Sequence, residues 1–406
     1  MRAVAEPFLR LAASNLAAQS AQQIGLAAAP LVAVLALGSD VAGTGLLQVA
    51  QTLPFLLFAV PLGVLADRTA RRRLMAAGEL LRAVAFLAIV ALAAAGKLDL
   101  LGLALLAFVG TVGAVAYSVA TPALIPALVP HTRLARANSQ IELVRSLALT
   151  GGPALAGLLV GLTGVGVAFT LAAGLSVLAA AALIGLPEGP VRLGARRAFA
   201  AELCEGAVFA FKQPLLRPML ITSMLFNIAY VALQTAYVPY AVRQLGLSGG
   251  GIGLTLAAYG VGMVTFAVAM PFIIRRWRAG TQLVIGPYGA LVASAAMLAT
   301  LYWPSAWLAG LCFFILGTGS VSWSVTATTL RQAVTPPSLL GRVSSLNTLA
   351  TYGARPLGAA LAAAVGLLGG EVACLAFSAF CFAVQAVYLA VSPVPRLSRL
   401  PEPTER

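Results

Sequence analysis

Two kinds of charge stand out in a chain whose 406 residues are 60% hydrophobic and only 9% charged. The first is crowded. GVLADRTARRRLM, residues 63–75, sets Gly63 and a single acid, Asp67, ahead of Arg68, Arg71, Arg72 and Arg73. The second is sparse, with ionisable residues stranded in long apolar runs. Glu79 precedes Arg82 by three, Glu142 precedes Arg145 by three, and Arg355 stands without an acid near it in sequence. A step of three puts both members of a pair on one helix face. Charge inside an apolar span is costly and marks a solute or proton pathway by default. At 1.5 Å per residue, Arg145 lies roughly 17 Å into its span, near a membrane midplane, with Arg355 equally deep and Glu79 and Arg82 shallower. Two readings stay open. In one, Glu142 is a proton site whose affinity depends on Arg145, while Arg145 and Arg355 attract an anionic solute or replace the proton. In the other, the pairs are neutralised packing struts.

Other chemistry is poorly served. The single histidine, His131, falls in a break, and Cys204, Cys312, Cys374 and Cys381 have no metal-knuckle spacing. No nucleophile has a base, so no enzyme, no metal and no cofactor is expected. The net charge of +14 is scattered over short breaks and builds no stripe for nucleic acid. A channel would need a filter-like loop or a ring of acids, and neither is visible. A transport-inactive receptor or scaffold remains the rival class.

A third group is uncharged. Asn15, Gln19, Gln22 and Gln23 share one apolar run, Gln48 and Gln51 the next, and Asn227, Gln234 and Tyr237 a later one. Their spacing gathers amides on helix faces, and lipid cannot satisfy buried amides, so those faces should point inward. Tyr117, Tyr259, Trp323 and Tyr352 could add aromatic walls. Such a lining suits a bulky, partly apolar small molecule. Each amide could equally be a tie between helices.

The elements that must position these groups follow from the apolar runs, many of which reach the roughly 20 residues needed to cross a bilayer. Cuts at charges and Gly/Pro breaks give twelve spans: 9–37, 42–65, 74–95, 98–129, 134–162, 165–186, 215–242, 250–274, 281–303, 306–334, 341–368 and 371–391. Of the 26 basic residues, Arg82, Arg145 and Arg355 lie within spans. Lys97 and Arg243 lie in one alternate set of breaks, and all the rest in the other. That alternation supports the span count and puts both termini in the cytoplasm. Residues 67–73 become the cytoplasmic turn between spans 2 and 3.

The stretch from Leu128, shifted by 206 residues, returns from Val334 with Pro130 on Pro336, Arg136 on Arg342, Ser139 on Ser345 and Gly152 on Gly358. An offset of six spans makes a parallel repeat. The expected fold is an all-α membrane protein of twelve transmembrane helices in two parallel-repeat six-helix bundles. Its parts are 1–186, a linker with an amphipathic helix at 187–214, a second bundle at 215–392 and a cytoplasmic tail at 393–406.

Twelve spans, two parallel halves and GVLADRTARRRLM together resemble the major facilitator superfamily. Gly63, Leu65, Asp67, Arg68, Arg71 and Arg72 match its loop signature, while Ala70 replaces the usual glycine and Met75 the usual leucine. RQAVTPPSLLGRVSSLN and ARPLGAA further resemble the branch that holds the enterobactin exporter and the macrolide efflux proteins. The resemblance implies alternating access. It also implies a latch in which Asp67 meets the N-terminal end of span 11 and a nearby arginine. A carboxylate at a helix N-terminus is favourable by about 0.3–2 kcal/mol, a reversible strength. LALTGGPALAG, with Gly152, Pro153 and Gly157, partly matches the superfamily's exporter motif and leans the reading towards export. Small residues there let helices approach closely. Spans 1 and 4 carry no acid or base within the membrane, unlike the superfamily's usual drug/proton antiporters, so proton coupling is implied by resemblance alone. The expectation is a proton-coupled exporter of amphipathic small molecules, a drug-efflux type, or else an exporter of a native metabolite such as a siderophore. It would be a monomer in the bilayer of a bacterial inner membrane.

Overall fold

The computed structural model describes residues 2–129, 134–187, 199–336 and 339–398. Every long element among them is an α-helix. The first six are α1 (Arg2–Leu35), α2 (Val41–Arg68), α3 (Arg71–Ala94), α4 (Leu100–Leu128), α5 (Leu134–Thr163) and α6 (Val165–Ala182). Then come α7 (Phe199–Lys212), α8 (Leu216–Arg243), α9 (Gly249–Arg276), α10 (Ala279–Ala299), α11 (Ala306–Val334) and α12 (Leu340–Ala390). Alanine and leucine favour helix, and lipid forces every backbone amide to be satisfied within its own segment. Acids outside the apolar runs start two of the helices. Asp40 accepts from Gly43 N at 2.9 Å and Asp99 from Gly102 N at 2.8 Å, each satisfying a donor that the first turn would leave open.

Eleven of the described helices are long and apolar enough to cross a membrane. One of them, α12, has 51 residues. At 1.5 Å per residue it would be roughly 76 Å long, over twice the ~30 Å hydrocarbon core. It is broken at Gly369 (φ −148°) and Gly370 (φ +66°, ψ −158°), where a side chain would strain the backbone. Its two limbs are the eleventh and twelfth spans, divided where the sequence places the cut.

The chain falls into two compact units, Met1–Gly194 with Gly246–Ala257, and Ala195–Leu245 with Ala258–Arg406. Each repeats the other's contacts. In the first unit a Cβ on Gly78 would stand 2.6 Å from Gly113 O, so α3 and α4 touch backbone to backbone. In the second, a Cβ on Gly319 would stand 3.0 Å from Gly286 Cα, bringing α10 and α11 together in the same way. Gly152 packs α5 onto Gln23 of α1, and Gly358 packs α12 onto Ile228 of α8. Ser14 donates to Ala179 O at 2.8 Å between α1 and α6. Ser378 donates to Ala229 O at 2.8 Å between the second limb of α12 and α8. The Gly152/Gly358 match read from the sequence therefore marks one packing solution used twice.

Two expectations change. The turn between spans 2 and 3 is only Thr69 and Ala70, not 67–73. Thr69 N–H and its hydroxyl both donate to Leu65 O, at 2.9 and 2.7 Å, and the helix restarts with Leu74 N donating to Ala70 O at 3.1 Å. The helix of span 1 starts at Arg2 and its apolar span is Glu6–Leu35 rather than 9–37, because Glu6 and Arg10 do not interrupt a helix. The linker contributes α7 to the second unit. There Glu205 pairs with Arg342 of α12 at 2.5 Å, and Gly206 sits where a Cβ would come within 2.9 Å of Arg342 C.

Candidate functional site

In the second unit one face of α8 carries Ser223, Phe226, Asn227, Tyr230 and Gln234, spaced by three or four residues. Arg355 of α12 reaches this face, and its Nε donates to Asn227 Oδ1 at 2.9 Å. Asn227 Nδ2 donates to Ser223 O at 2.9 Å, which fixes the amide so that its oxygen faces the guanidinium. The guanidinium carbon lies 5.0 Å from the centre of the Tyr352 ring, within cation–π range. Trp323 Nε1 donates to Ser223 Oγ at 3.1 Å and closes another side. Tyr230 stacks on Phe226 at 5.7 Å, meets Tyr259 at 5.3 Å, and its hydroxyl accepts from Gln234 Nε2 at 3.1 Å. Tyr259 in turn shares a hydrogen with Ser320 at 2.8 Å. Asn227, Gln234, Tyr259, Trp323, Tyr352 and Arg355, chosen separately from the sequence, are thus brought to one face of α8, with Asn227 and Tyr352 meeting the cation and the others joined through Ser223 and Tyr230. Tyr230 was missed, although its steps of three from Asn227 and four to Gln234 place it between them. Tyr237 is fully buried, edge-on against Phe313 at 4.7 Å.

The first unit holds a different arrangement. Glu79 and Arg82 form an ion pair with exposures of 0% and 2%. Arg82 Nε donates to Ser176 Oγ at 3.0 Å and Nη2 to Ala18 O at 2.8 Å. The pair is sealed by α1, α4 and α6, so it is more enclosed than its shallow sequence position suggests. Tyr117 is packed in the apolar core and bonds to Ser14 at 2.9 Å, so it is no cavity wall. Asn15, Gln48 and Gln51 are buried, and Gln19, Gln22 and Gln23 half-buried. Gln22, Gln51, Arg82, Phe86, Thr111 and Phe169 line a void of ≈ 20 Å³. That is room for about one water, against the roughly 300–1,000 Å³ of a small-molecule chamber. Among the described residues no three His, Cys, Asp or Glu side chains converge as a metal site would require.

Comparison with known proteins identifies the family. The sequence profile of the Major Facilitator Superfamily matches residues 11–359. The chain belongs to that superfamily. An uncharacterized MFS-type transporter, y4rN of Sinorhizobium fredii, is 29% identical over 249 residues, 60% of this chain and 60% of that one. The enterobactin exporter EntS of Salmonella typhimurium is 28% identical over 323 residues, 78% of this chain and 76% of its own. Among solved structures, the nucleoside transporter NupG superposes with a TM-score of 0.73 at 15% identity, covering 95% of this chain and 98% of its own. An inward-facing bacterial homologue of the iron transporter ferroportin gives 0.72 at 16%, covering 95% and 98%. At these identities the structures establish the fold. The protein is a multi-pass membrane transporter of the major facilitator fold, not an enzyme.

The remaining sequence motifs fall as follows in this facilitator. Asp67 lies in the last turn of α2 and Glu142 in α5, but both side chains lie outside the described residues. A Cβ on Gly63 would meet nothing within 4 Å. Arg68 is exposed and Arg71 half-buried. Arg72 donates to Leu186 O at 3.0 Å, and Arg10 donates to Ile184 O, so both serve carbonyls beyond the end of α6. Arg145 is half-buried on α5. Further along α5, Pro153 and Gly157 meet glycines at the start of α9, whose residues up to Ala257 belong to the first unit. A Cβ on Gly253 would stand 2.6 Å from Pro153 O and 2.9 Å from Gly157 Cα, and one on Gly161 3.2 Å from Gly250 N.

Proposed function

We propose that this transporter exports amphipathic small molecules by alternating access, driven by protons, from the inner membrane of a bacterium. In this reading both termini are cytoplasmic and the working unit is a monomer. The division at 187–214 separates the two bundles, and the Asp67 loop, with Gly63, Arg68, Arg71 and Arg72, acts as its latch. The observation that carries the solute class is the group around Arg355. One cation, one oriented amide and five aromatic rings give an amphipathic solute both an apolar surface and polar anchors. The close Pro153–Gly157 contact with α9 supports export through the motif that it matches. Coupling would draw on Glu142 with Arg145, or on Glu79 with Arg82.

A second reading is favoured by the same cation. An arginine set among rings suits an anionic aromatic metabolite, and the relative named as an enterobactin exporter supports a native solute of that kind.

The test uses bacteria stripped of their own efflux pumps. Accumulation of ethidium and of salicylate is compared with and without the protein, before and after a protonophore. Lower ethidium that the protonophore restores is the expected result. Lower salicylate alone selects the metabolite reading. Unchanged accumulation of both overturns the proposal.

A further inference from the structure

We propose that Arg276, Trp277, Arg278 and Arg396 form a docking site for the headgroup of an anionic phospholipid on the rim of the second unit, with an acyl chain of that lipid lying along α9. The site is independent of the solute carried. In the orientation proposed above, this rim meets the inner leaflet.

The inference starts from missing carboxylates. Between Glu205 and Glu371 the sequence contains no acid at all. Those two are taken, Glu205 by Arg342 and Glu371 by Arg243. Arg276 is the last residue of α9 and Arg278 the N-cap of α10, with only Trp277 between them. The segment after α12 adds a third cation. Gly280 N–H donates to Leu397 O at 2.9 Å, and a Cβ on Gly280 would collide with Pro395 O. The turn that carries Arg396 is therefore pressed against the first turn of α10. All three arginines are exposed, and among the described residues no acid pairs with them. Like charges gathered in this way repel one another and draw an anion to the rim.

The surface beside the arginines says which anion. Val264, Val268 and Phe272 of α9 are exposed and lie four residues apart, on the face that leads to Arg276. From Val264 to Arg276 the helix rises about 18 Å, close to half of the ~30 Å hydrocarbon core. An acyl chain fits that stripe with its headgroup at the arginines. Helical side chains lean towards the N-terminus, and Arg276 does so: its guanidinium carbon lies 4.7 Å from the centre of the Phe272 ring. The charge thus sits where the apolar stripe ends, at the level of a lipid phosphate. Trp277 is exposed beside it, and indole favours this boundary. A free phosphate would use the arginines but not the stripe or the tryptophan. The chain's own residues 399–406 offer Glu402 and Glu405, but Arg399 and Arg406 cancel them, so that segment brings no net side-chain charge. Basic pockets on the cytoplasmic side of transmembrane helices suit anionic headgroups.

The experiment places the full-length protein in symmetric liposomes of phosphatidylcholine with a minority of phosphatidylglycerol, brominated on the acyl chains of one lipid or the other. Symmetric liposomes make the result independent of orientation. Subtracting Trp277→Phe from wild type isolates Trp277 from the other three tryptophans. Brominated phosphatidylglycerol should quench Trp277 beyond its share of the mixture. One basic side chain near an anionic headgroup is worth up to about fivefold, so Arg276→Gln should cut the excess by up to that factor. Arg276→Gln with Arg278→Gln should abolish it. Quenching in proportion to the mixture in wild type means ordinary lipid contact and overturns the site, as does an excess that survives the double variant. Should the variants fail to fold, wild type is measured between 0.1 and 1 M salt, where the screening length falls from about 10 to 3 Å. An excess that salt leaves unchanged overturns the site equally. An excess removed by inorganic phosphate but not by chloride at equal ionic strength assigns the arginines to a free anion. One that emerges only after residues 399–406 are removed assigns them to the chain's own acids. Either result overturns lipid docking.

Discussion

Replacing Gly253 by alanine tests how tightly α5 and α9 are closed. The new methyl would stand 2.6 Å from Pro153 O and 2.9 Å from Gly157 Cα, backbone atoms that cannot rotate away. Carbon contacts are comfortable near 3.5 Å, so the two helices must part by up to roughly 0.9 Å. Overpacking of this kind costs about 1–3 kcal/mol. Alanine returns up to about 1 kcal/mol in helix propensity. Gly174→Ala, on α6, isolates that second effect, because a Cβ there meets nothing within 4 Å. Thermal unfolding in detergent, followed by intrinsic fluorescence, should therefore place Gly253→Ala below wild type and Gly174→Ala at or above it. In domains of 150–250 residues each kcal/mol moves the midpoint by about 2–4 °C, so the two variants should differ by several degrees. Equal midpoints would refute the claim that the contact is closed to a methyl group.

Arg355→Ala removes a charged hydrogen bond worth about 1.5–3 kcal/mol, so salicylate should bind ten- to a hundredfold more weakly, read by tryptophan quenching, while ethidium changes little. Asp67→Asn should slow transport and leave solute affinity intact, and wild-type rates in that variant would end the latch reading. Arg82→Met alone should destabilise by about 3–5 kcal/mol, and adding Glu79→Leu should recover much of it, read by the same thermal unfolding. Cys204 is exposed while Cys312, Cys374 and Cys381 are buried. A membrane-impermeant maleimide should accordingly label Cys204 from the cytoplasmic side of inverted vesicles and not from the outside of intact cells.

Most of the span pattern was legible because lipid imposes a length and a hydropathy on each crossing. Gly369–Gly370 was readable as a break even inside a continuous helix, since two glycines and Glu371 end an apolar run. The match of Gly152 to Gly358 was readable because glycine is dear in a helix unless another helix needs the room. The match of Gly78–Gly113 to Gly286–Gly319 was not, since sequence names no partner for a glycine. The α2–α3 turn was overestimated because arginine and aspartate punctuate hydropathy without breaking helix. The enclosure of Glu79 was not legible for a related reason. Depth along a helix is a count of residues, but enclosure depends on which neighbours close over it. On α8 the polar positions were visible, yet the sequence could not say that Arg355, 128 residues from Asn227, would supply their cation.

One asymmetry in the backbone bears on how the molecule can be handled. Turns following odd-numbered spans are closed by a glycine of positive φ in five cases, Gly38, Gly96, Gly164, Gly246 and Gly370. Including the sixth, between Ala299 and Ala306, these turns hold one to six residues each. A stable protein–protein contact covers about 800 Å² on each partner. Pinned turns of this size offer little relief for an antibody to grip and no slack for an inserted tag. Binders and fusion partners are better directed at the opposite end of each bundle, where Arg68 and Arg73 of the first unit and Glu205 of the second stand exposed.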